Sequence, residues 1–378
     1  PELPIAQIGE TGYETLAAAA EAAQAGDIIT LCTNVTENVA LPADITFNGN
    51  GKAVGNITAK GTITFNGHTK ATSFNVENTN TTVNIVEGAC LEITGTGRMV
   101  IGHGCTFNIT GTITDAKTAN VADLTPSLIM PGASFTGAGV TFNVTNAYIK
   151  TISSYCSSKN SNANSTFDFN IENSIWEQYG SLVFSEPTNG MDPTVNFELK
   201  NSVLNSTSHL VFAVTKGDVV FDNSNVNVGT SRQIENRSTM TVKNGSVVNG
   251  AVTTSSNAKN PGTLIVDNAT YAVTGEFSGS NLGTGTLIVN KTANFSAGSI
   301  TKANIQIDAT GMIVGDVVNI TANLNGHTGA IEVINDNMLD AKINDDGKIV
   351  IVARTLQGEG TADNPYVITN LDDLKFFR

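Results

Sequence analysis

The stretch Thr141-Phe142-Asn143-Val144-Thr145-Asn146 carries the pattern that organises this chain. Polar and apolar side chains alternate along it, so that Phe142 and Val144 point to one side and the residues between them to the other. Such a stretch is typical of a half-buried β-strand. The asparagine that follows is a residue that tolerates the left-handed backbone of a tight corner. The pattern therefore predicts a short strand followed by a polar turn.

The same unit returns along much of the chain. Further copies begin at Thr166, Thr194, Thr239, Thr263 and Thr286. Because related pairs of inward positions recur roughly every 17 to 29 residues from Ile45 to Ile307, the sequence predicts a stack of similar coils. Two strands per coil joined by an asparagine-containing corner favour parallel ladders over hairpins. The predicted fold class is all-β, a single-stranded right-handed parallel β-helix, and about thirteen coils would form a rod of roughly 60 Å.

Both ends of the solenoid are predicted to carry caps. Thr11 and Glu14 form a capping-box pattern before an alanine-rich helix that extends to about Ala25. Residues 341–352 form a hairpin pattern with Asp346-Gly347 as its turn. The predicted organisation is a strand and helix cap over residues 1–26, the β-helix over 27–329 and a hairpin cap over 330–356. Residues 357–378 then form a linker or the start of a following module.

The amino-acid composition excludes some classes of binding partner. The formal net charge is −14 and only 14% of the residues are charged, so the surface is polar mainly through uncharged side chains. Nucleic acid and anionic membranes require clustered lysine and arginine, and neither partner is expected. No apolar run is long enough for a membrane span.

Four cysteines lie far apart, at positions 32, 90, 105 and 156, without a CxxC motif. This spacing does not match a zinc site, and no cofactor is expected. The interpretation we favour places the cysteines in the core. A single disulfide remains an alternative interpretation, and Cys90 with Cys105 is the pair to test.

The segment from Thr112 to Pro193 departs from the regular spacing. It contains longer inserts at residues 116–139, 153–165 and 185–193, and inserts in solenoids become loops on one side, often the binding side. It also contains the only tryptophan and three of the six tyrosines. The candidate ligand-binding residues are Tyr148, Tyr155, Trp176, Tyr179, Glu172 and Glu177, with Glu186 as a further carboxylate. The aromatic side chains either stack on sugar rings or lie buried under the inserts, and either Ile175 or Trp176 takes the inward position.

The two ends of the chain resemble a known class of proteins. Tyr13-Glu14-Thr15-Leu16, the alanine-rich helix and Gly26-Asp27-Ile28-Ile29-Thr30-Leu31 are similar to the opening segment of adhesin-like surface proteins of gut bacteria, in which pectate-lyase-like coils follow. The stretch from Gly358 to Leu374 is similar to the segment that opens a further module in such secreted proteins. The resemblance implies an extracellular or cell-surface location.

Enzymes built on similar coils offer an alternative function. A polygalacturonase-like site needs paired acids next to a His-Gly, yet His103-Gly104 has no such pair on a central coil. A lyase-like site needs a basic residue and calcium held by carboxylates. Basic and acidic residues do lie close together on neighbouring coils, at Lys200, Lys216, Arg232, Arg237, Lys243, Asp218, Asp222 and Glu235. The interpretation we favour for these residues is a solvated face, and no motif assigns catalysis to them.

The sequence therefore predicts a non-enzymatic, secreted or surface-anchored β-helical protein. It would act as a rigid spacer or adhesin that presents a face to a glycan or a host component. The alternative is a polysaccharide lyase or glycoside hydrolase that works in a groove along the coils. Two carboxylates, or a base with a metal, converging on neighbouring coils would favour the enzyme.

Overall fold

A computed structural model describes residues 3–76, 80–94, 98–102, 104–115, 128–130, 139–151, 154–157, 165–185, 193–229, 234–250, 262–277, 285–368 and 373–374. For residues 128–130, 155–157 and 185 only the backbone is described. The described chain is almost entirely β-structure, with long parallel sheets in which each coil pairs with the next. The predicted parallel β-helix is therefore confirmed.

The first face of the solenoid is a sheet of sixteen strands. In sheet order they are Thr11–Tyr13, Ala6–Ile8, Ile28–Leu31, Ile45–Asn48, Thr62–Phe65, Thr82–Ile85, Thr106–Ile109, Thr141–Thr145, Thr166–Glu172, Thr194–Lys200, Asp218–Asp222, Thr239–Lys243, Thr263–Asp267, Thr286–Asn290, Asn304–Asp308 and Ile331–Ile334. From Ile28–Leu31 onward all neighbours in this sheet run parallel. At about 4.8 Å per coil, this stack is about 60 Å long.

Two further ladders complete each coil, so the prediction of two strands per coil was wrong in the central part. The second face comprises Cys90–Ile93, Thr112–Asp115, Tyr148–Thr151, Ile175–Gln178, Val203–Ser206, Asn225–Val228, Val247–Gly250 and Thr270–Val273. The third face comprises Val39–Leu41, Met99–Ile101, Leu128–Met130, Ser154–Ser157, Leu182–Ser185, Leu210–Ala213, Ile234–Asn236 and Glu276–Phe277. Three longer strands, Ala53–Ala59, His68–Val76 and Asn294–Ile300, and the short strand Ile320–Asn323 also contribute to these two ladders. The third strand escaped prediction because it is short and lies next to the irregular inserts.

The interior is a continuous apolar column. Val144, Phe169, Phe197 and Val266 were predicted to point inward, and each is at most 1% exposed. Phenylalanines of successive coils contact each other along the axis. Phe142 stacks on Phe107 with ring centroids 4.8 Å apart, and Phe169 follows at 5.3 Å. Register between coils is thereby set by side chains of matching size at each inward position.

The N-terminal end is covered by antiparallel strands and one helix. Ala6–Ile8 lies between Thr11–Tyr13 and Ile28–Leu31 and pairs antiparallel with both. The helix spans only Leu16–Ala22, and the predicted capping box at Thr11 is wrong, because Thr11 belongs to a strand. Thr15 is the N-cap instead, and its hydroxyl accepts a hydrogen bond from the Ala18 backbone N–H at 3.0 Å.

The next coil also holds the helix in place. The Glu37 carboxylate accepts hydrogen bonds from the backbone N–H groups of Leu16 at 2.9 Å and Ala17 at 3.0 Å. A carboxylate at this position satisfies free N–H groups and interacts favourably with the helix dipole. Leu16, Ala19 and Ala20 are buried against the first coils. The helix therefore closes the apolar cross-section of the stack.

At the other end, the predicted hairpin forms between Leu339–Ile343 and Ile349–Ala353. Its turn contains Gly347, whose φ of 74° favours glycine. Backbone bonds from Val318 to Ile349 and from Ile351 to Asp316, both 2.9 Å, attach the hairpin to the chain before it. The parallel ladder itself continues through Ile331–Ile334, past the predicted boundary at residue 329.

Several sequence predictions lie outside the described residues. These are most of the three inserts, His103, Arg232 and Glu186, and the side chains of Tyr155 and Cys156. Among the residues that are described, no helix has the length and apolar character required to cross a membrane.

Candidate interaction site

An asparagine corner joins the first face to the second in the central coils. It consists of Asn146, Asn173, Asn201, Asn223, Asn244 and Asn268, all with φ between 46° and 55°. Asparagine adopts this left-handed region more readily than most residues, so the recurring Asn supplies the turn that each coil needs. The corner determines which side chains of the second face point outward.

A buried serine column lies directly behind this corner. It consists of Ser174, Ser202, Ser224 and Ser246, each at most 3% exposed. The backbone N–H of Ser202 donates to the Ser224 hydroxyl oxygen at 3.0 Å, and the Ser224 hydroxyl donates to the Asp222 carbonyl at 2.8 Å. The same arrangement repeats from Ser174 to Ser202 and from Ser224 to Ser246, at 2.9 Å each. Each hydroxyl thus links two coils and satisfies polar backbone that the tight turn would leave buried.

Trp176 is not part of a binding surface, which corrects our prediction. The corner at Asn173 turns so that Ile175 points outward and is 43% exposed, whereas Trp176 points inward and is 1% exposed. The indole N–H of Trp176 donates to the hydroxyl of Thr151 at 3.1 Å. A side chain that is buried and paired in this way cannot stack on a ligand.

Tyr148 and Glu177 do come together on the outer side of the second face. Their strands are neighbours in the ladder, and the Tyr148 hydroxyl donates to Glu177 Oε2 at 2.6 Å. Partial burial and the hydrogen bond to this carboxylate, together with its charge, raise the pKa of Tyr148 to about 12. With the exposed Ile175, which lies in register beside Tyr148, they form what we call the Tyr148 face. It offers a ring, an aliphatic side chain and an oriented carboxylate.

The other predicted residues have separate surroundings. Tyr179 is half-buried, and its backbone carbonyl accepts a hydrogen bond from the Thr207 hydroxyl. Tyr155 lies on the third face in Ser154–Ser157, and its side chain is outside the description. Glu172 lies at the end of a first-face strand, where its carboxylate pairs with Lys200 at 2.8 Å. Among the described side chains of the predicted ligand-binding residues, only Tyr148 and Glu177 therefore contact each other.

Glu172 belongs to a charge ladder that our sequence reading missed. It consists of Glu172, Lys200, Asp222, Lys243 and Asp267, which are direct neighbours on successive first-face strands. Lys243 also contacts Asp222 at 3.4 Å. The hydrogen bond to Glu172 and the nearby negative charges raise the pKa of Lys200. A signal was present in the sequence, because the residue before each of the five corner asparagines from Asn173 to Asn268 is charged and alternates in sign from one coil to the next.

These pairings bear on the residues considered for catalysis. Lys200 and Lys243 contact carboxylates of the ladder, and Arg237 pairs with Glu235 at 2.8 Å on the third face. Within the described ranges, no three His, Cys, Asp or Glu side chains are arranged to hold a metal ion. Lys200, Lys243 and Arg237, which we compared with a lyase base, are therefore ion-pair partners.

The cysteines considered for a disulfide remain thiols. Cys90 is half-buried and Cys105 is buried, and no bond joins them. Burial raises the pKa of both thiols to about 11, with the Glu92 charge contributing at Cys90. Both are therefore protonated and poorly nucleophilic at neutral pH.

Comparisons with known proteins find no match to this chain among protein-family models, curated proteins or solved structures.

Proposed function

We propose that the chain is a non-enzymatic, secreted or cell-surface solenoid that acts as a rigid spacer and presents the Tyr148 face to a glycan or host component. The observation that carries this proposal is the charge ladder. Its charged side chains are distributed one per coil along the first face and pair with each other from coil to coil. Such an arrangement stabilises a stack, whereas catalysis requires charged groups that converge on a substrate.

The Tyr148 face supports the binding half of the proposal. Ile175 is one of the large apolar side chains that stay exposed in the described structure, and Tyr148 lies beside it in register. Sugars present apolar C–H faces beside hydroxyl groups, so an aromatic or aliphatic surface next to a fixed carboxylate suits them. The Tyr148 hydroxyl orients Glu177 through one oxygen, which leaves the carboxylate in a defined position. The resemblance of the chain ends to bacterial surface proteins favours this class of partner.

A glycan array on the full chain tests the proposal. We expect bound glycans to be lost in the double variant Tyr148→Ala, Ile175→Ser, with little change in melting temperature, because neither side chain belongs to the core. Tyr366→Ala is the matched control, since Tyr366 is 47% exposed and lies in the C-terminal segment. Unchanged binding by the double variant would place the interaction elsewhere.

The proposal that the chain is not an enzyme requires a separate assay. Each bound glycan is incubated with the protein and examined for new reducing ends and for unsaturated products. We expect neither. Catalytic turnover of any glycan would overturn this half and favour a lyase or hydrolase.

A further inference from the structure

A surface pocket of about 400 Å³ lies on the first face next to Asp267, where the charge ladder as defined above ends. The outward side chains of Ile265 and Ile288 are direct neighbours in the sheet and form its apolar floor. Asp267, Asn290 and Asp308 line one side, at the ends of three successive strands. We call this the Asn290 pocket. It is distinct from the Tyr148 face, which lies on the second face.

The pocket coincides with a break in the alternation of charge. Along the ladder, Lys243 lies in register between Asp222 and Asp267. The following rung is Asn290, which donates to Asp267 Oδ1 at 2.5 Å, and the rung after it is Asp308. The position between Asp267 and Asp308 therefore holds a neutral side chain where the preceding rungs hold a lysine. Two carboxylates flank a rung without its own cation.

The nearby Lys291 does not supply that charge. Its ammonium donates to the Gly311 carbonyl at 2.8 Å and to Asp316 at 3.1 Å. The pocket carboxylates are also held in place. The Thr310 backbone N–H and hydroxyl donate to Asp308 Oδ1 at 3.0 and 2.6 Å. Partial burial acts to raise the pKa of Asp308, but hydrogen bonds from Thr310 and Asn335 outweigh it, so that the pKa lies below its usual value.

We propose that the Asn290 pocket binds the side chain of a lysine from a partner protein. The ammonium would lie over the Asn290 side chain, between the carboxylates of Asp267 and Asp308, and the methylene groups would lie on Ile265 and Ile288. The chain provides the template for this geometry, because Lys243 already lies between two aspartates at the same position of an earlier coil. A lysine stem buries apolar surface while its charged end stays near carboxylates and water.

Charge also favours a single ammonium on an otherwise neutral stem. The net charge of −14 attracts cationic partners over a distance. A free diamine would bring a second ammonium into a pocket that Lys291 lines, where like charges repel. A lysine side chain carries one charge and continues into a polypeptide. These features select the lysine of a protein over a polyamine.

The test uses the full chain and three probes at low ionic strength. These are a short blocked peptide with one central lysine, the same peptide with norleucine in its place, and cadaverine. Binding is followed through the backbone amide signals of Thr292 and Thr310 in nuclear magnetic resonance spectra. We expect the lysine peptide to shift these signals saturably and the norleucine peptide to leave them unchanged. Cadaverine should bind more weakly, and equal binding by cadaverine would overturn the assignment to a protein lysine.

Asn290→Lys is the decisive variant, because it completes the ladder from within the chain. We expect it to weaken binding of the lysine peptide by about tenfold or more. Asn225→Lys, an exposed residue of the second face, makes the same change in net charge and should bind like the parent. Absence of binding by the parent chain, or equal binding by the two variants, would overturn the proposal. The result is independent of the glycan experiments.

Discussion

The indole of Trp176 donates to the hydroxyl of Thr151, which belongs to the preceding coil, at 3.1 Å inside the solenoid. Thr151 is itself buried and lies within 3.3 Å of the side chains of Ser154 and Gln178. A small polar network therefore lies between the second and third faces. The only tryptophan of the chain stabilises the stack and does not form a binding surface.

Replacing Trp176 by alanine should lower the free energy of unfolding by about 3–5 kcal/mol, because it removes a large buried side chain. Thr151→Val keeps the volume but leaves the indole N–H without its acceptor, and should cost about 1–3 kcal/mol. Chemical denaturation measures both. A Trp176→Ala protein with parental stability would contradict the inward placement.

The serine column predicts a cost for removing a single hydroxyl. Ser224→Ala should destabilise the protein by about 1–3 kcal/mol, since the buried N–H of Ser202 loses its acceptor. Thr241→Ala, which removes an outward hydroxyl on a neighbouring first-face strand, serves as the control and should cost less. Equal losses in the two variants, measured by thermal unfolding, would argue against the column.

The charge ladder predicts a stability change that depends on salt. Lys243→Glu places three negative charges in consecutive rungs and should destabilise the protein by up to about 1 kcal/mol at low ionic strength. Lys243→Gln removes the cation without adding repulsion, so its effect should be smaller. The difference between the two variants should shrink as salt is added. A salt-independent difference would indicate that packing, and not charge, is responsible.

The raised pKa of Tyr148 predicts that the stability of the folded state depends on pH under alkaline conditions. Its folded pKa, about 12, lies above the ordinary tyrosine value, so the neutral phenol is favoured in the folded state. The associated stability is fully present below the ordinary pKa of tyrosine, about 10, and is lost as the pH rises through the folded value. Ultraviolet absorbance of the parent minus that of Tyr148→Phe should show ionisation near pH 12.

The variant Glu177→Gln separates the causes of this shift. It removes the carboxylate and its charge but leaves the burial of the phenol, which is the larger effect. The midpoint of Tyr148 ionisation should therefore fall only part of the way towards the ordinary value. A midpoint unchanged by Glu177→Gln would show that the negative charge of Glu177 contributes nothing.

The alternation of apolar and polar residues by itself determined the coils, since a period of two places Phe169 and Phe197 on one side of their strands wherever those strands lie. Glycine and asparagine likewise marked turns through their own backbone preferences, as at Gly347 in the hairpin. Local patterns could not determine which coil lies beside which, because register depends on how the inward side chains of neighbouring coils pack together. Only the tertiary structure therefore placed Glu172 beside Lys200 and Tyr148 beside Glu177. The inward orientation of Trp176 also depends on the tertiary structure. The turn at Asn173 determines which residues of the following strand point inward, and the serine column of the neighbouring coils holds that turn in place.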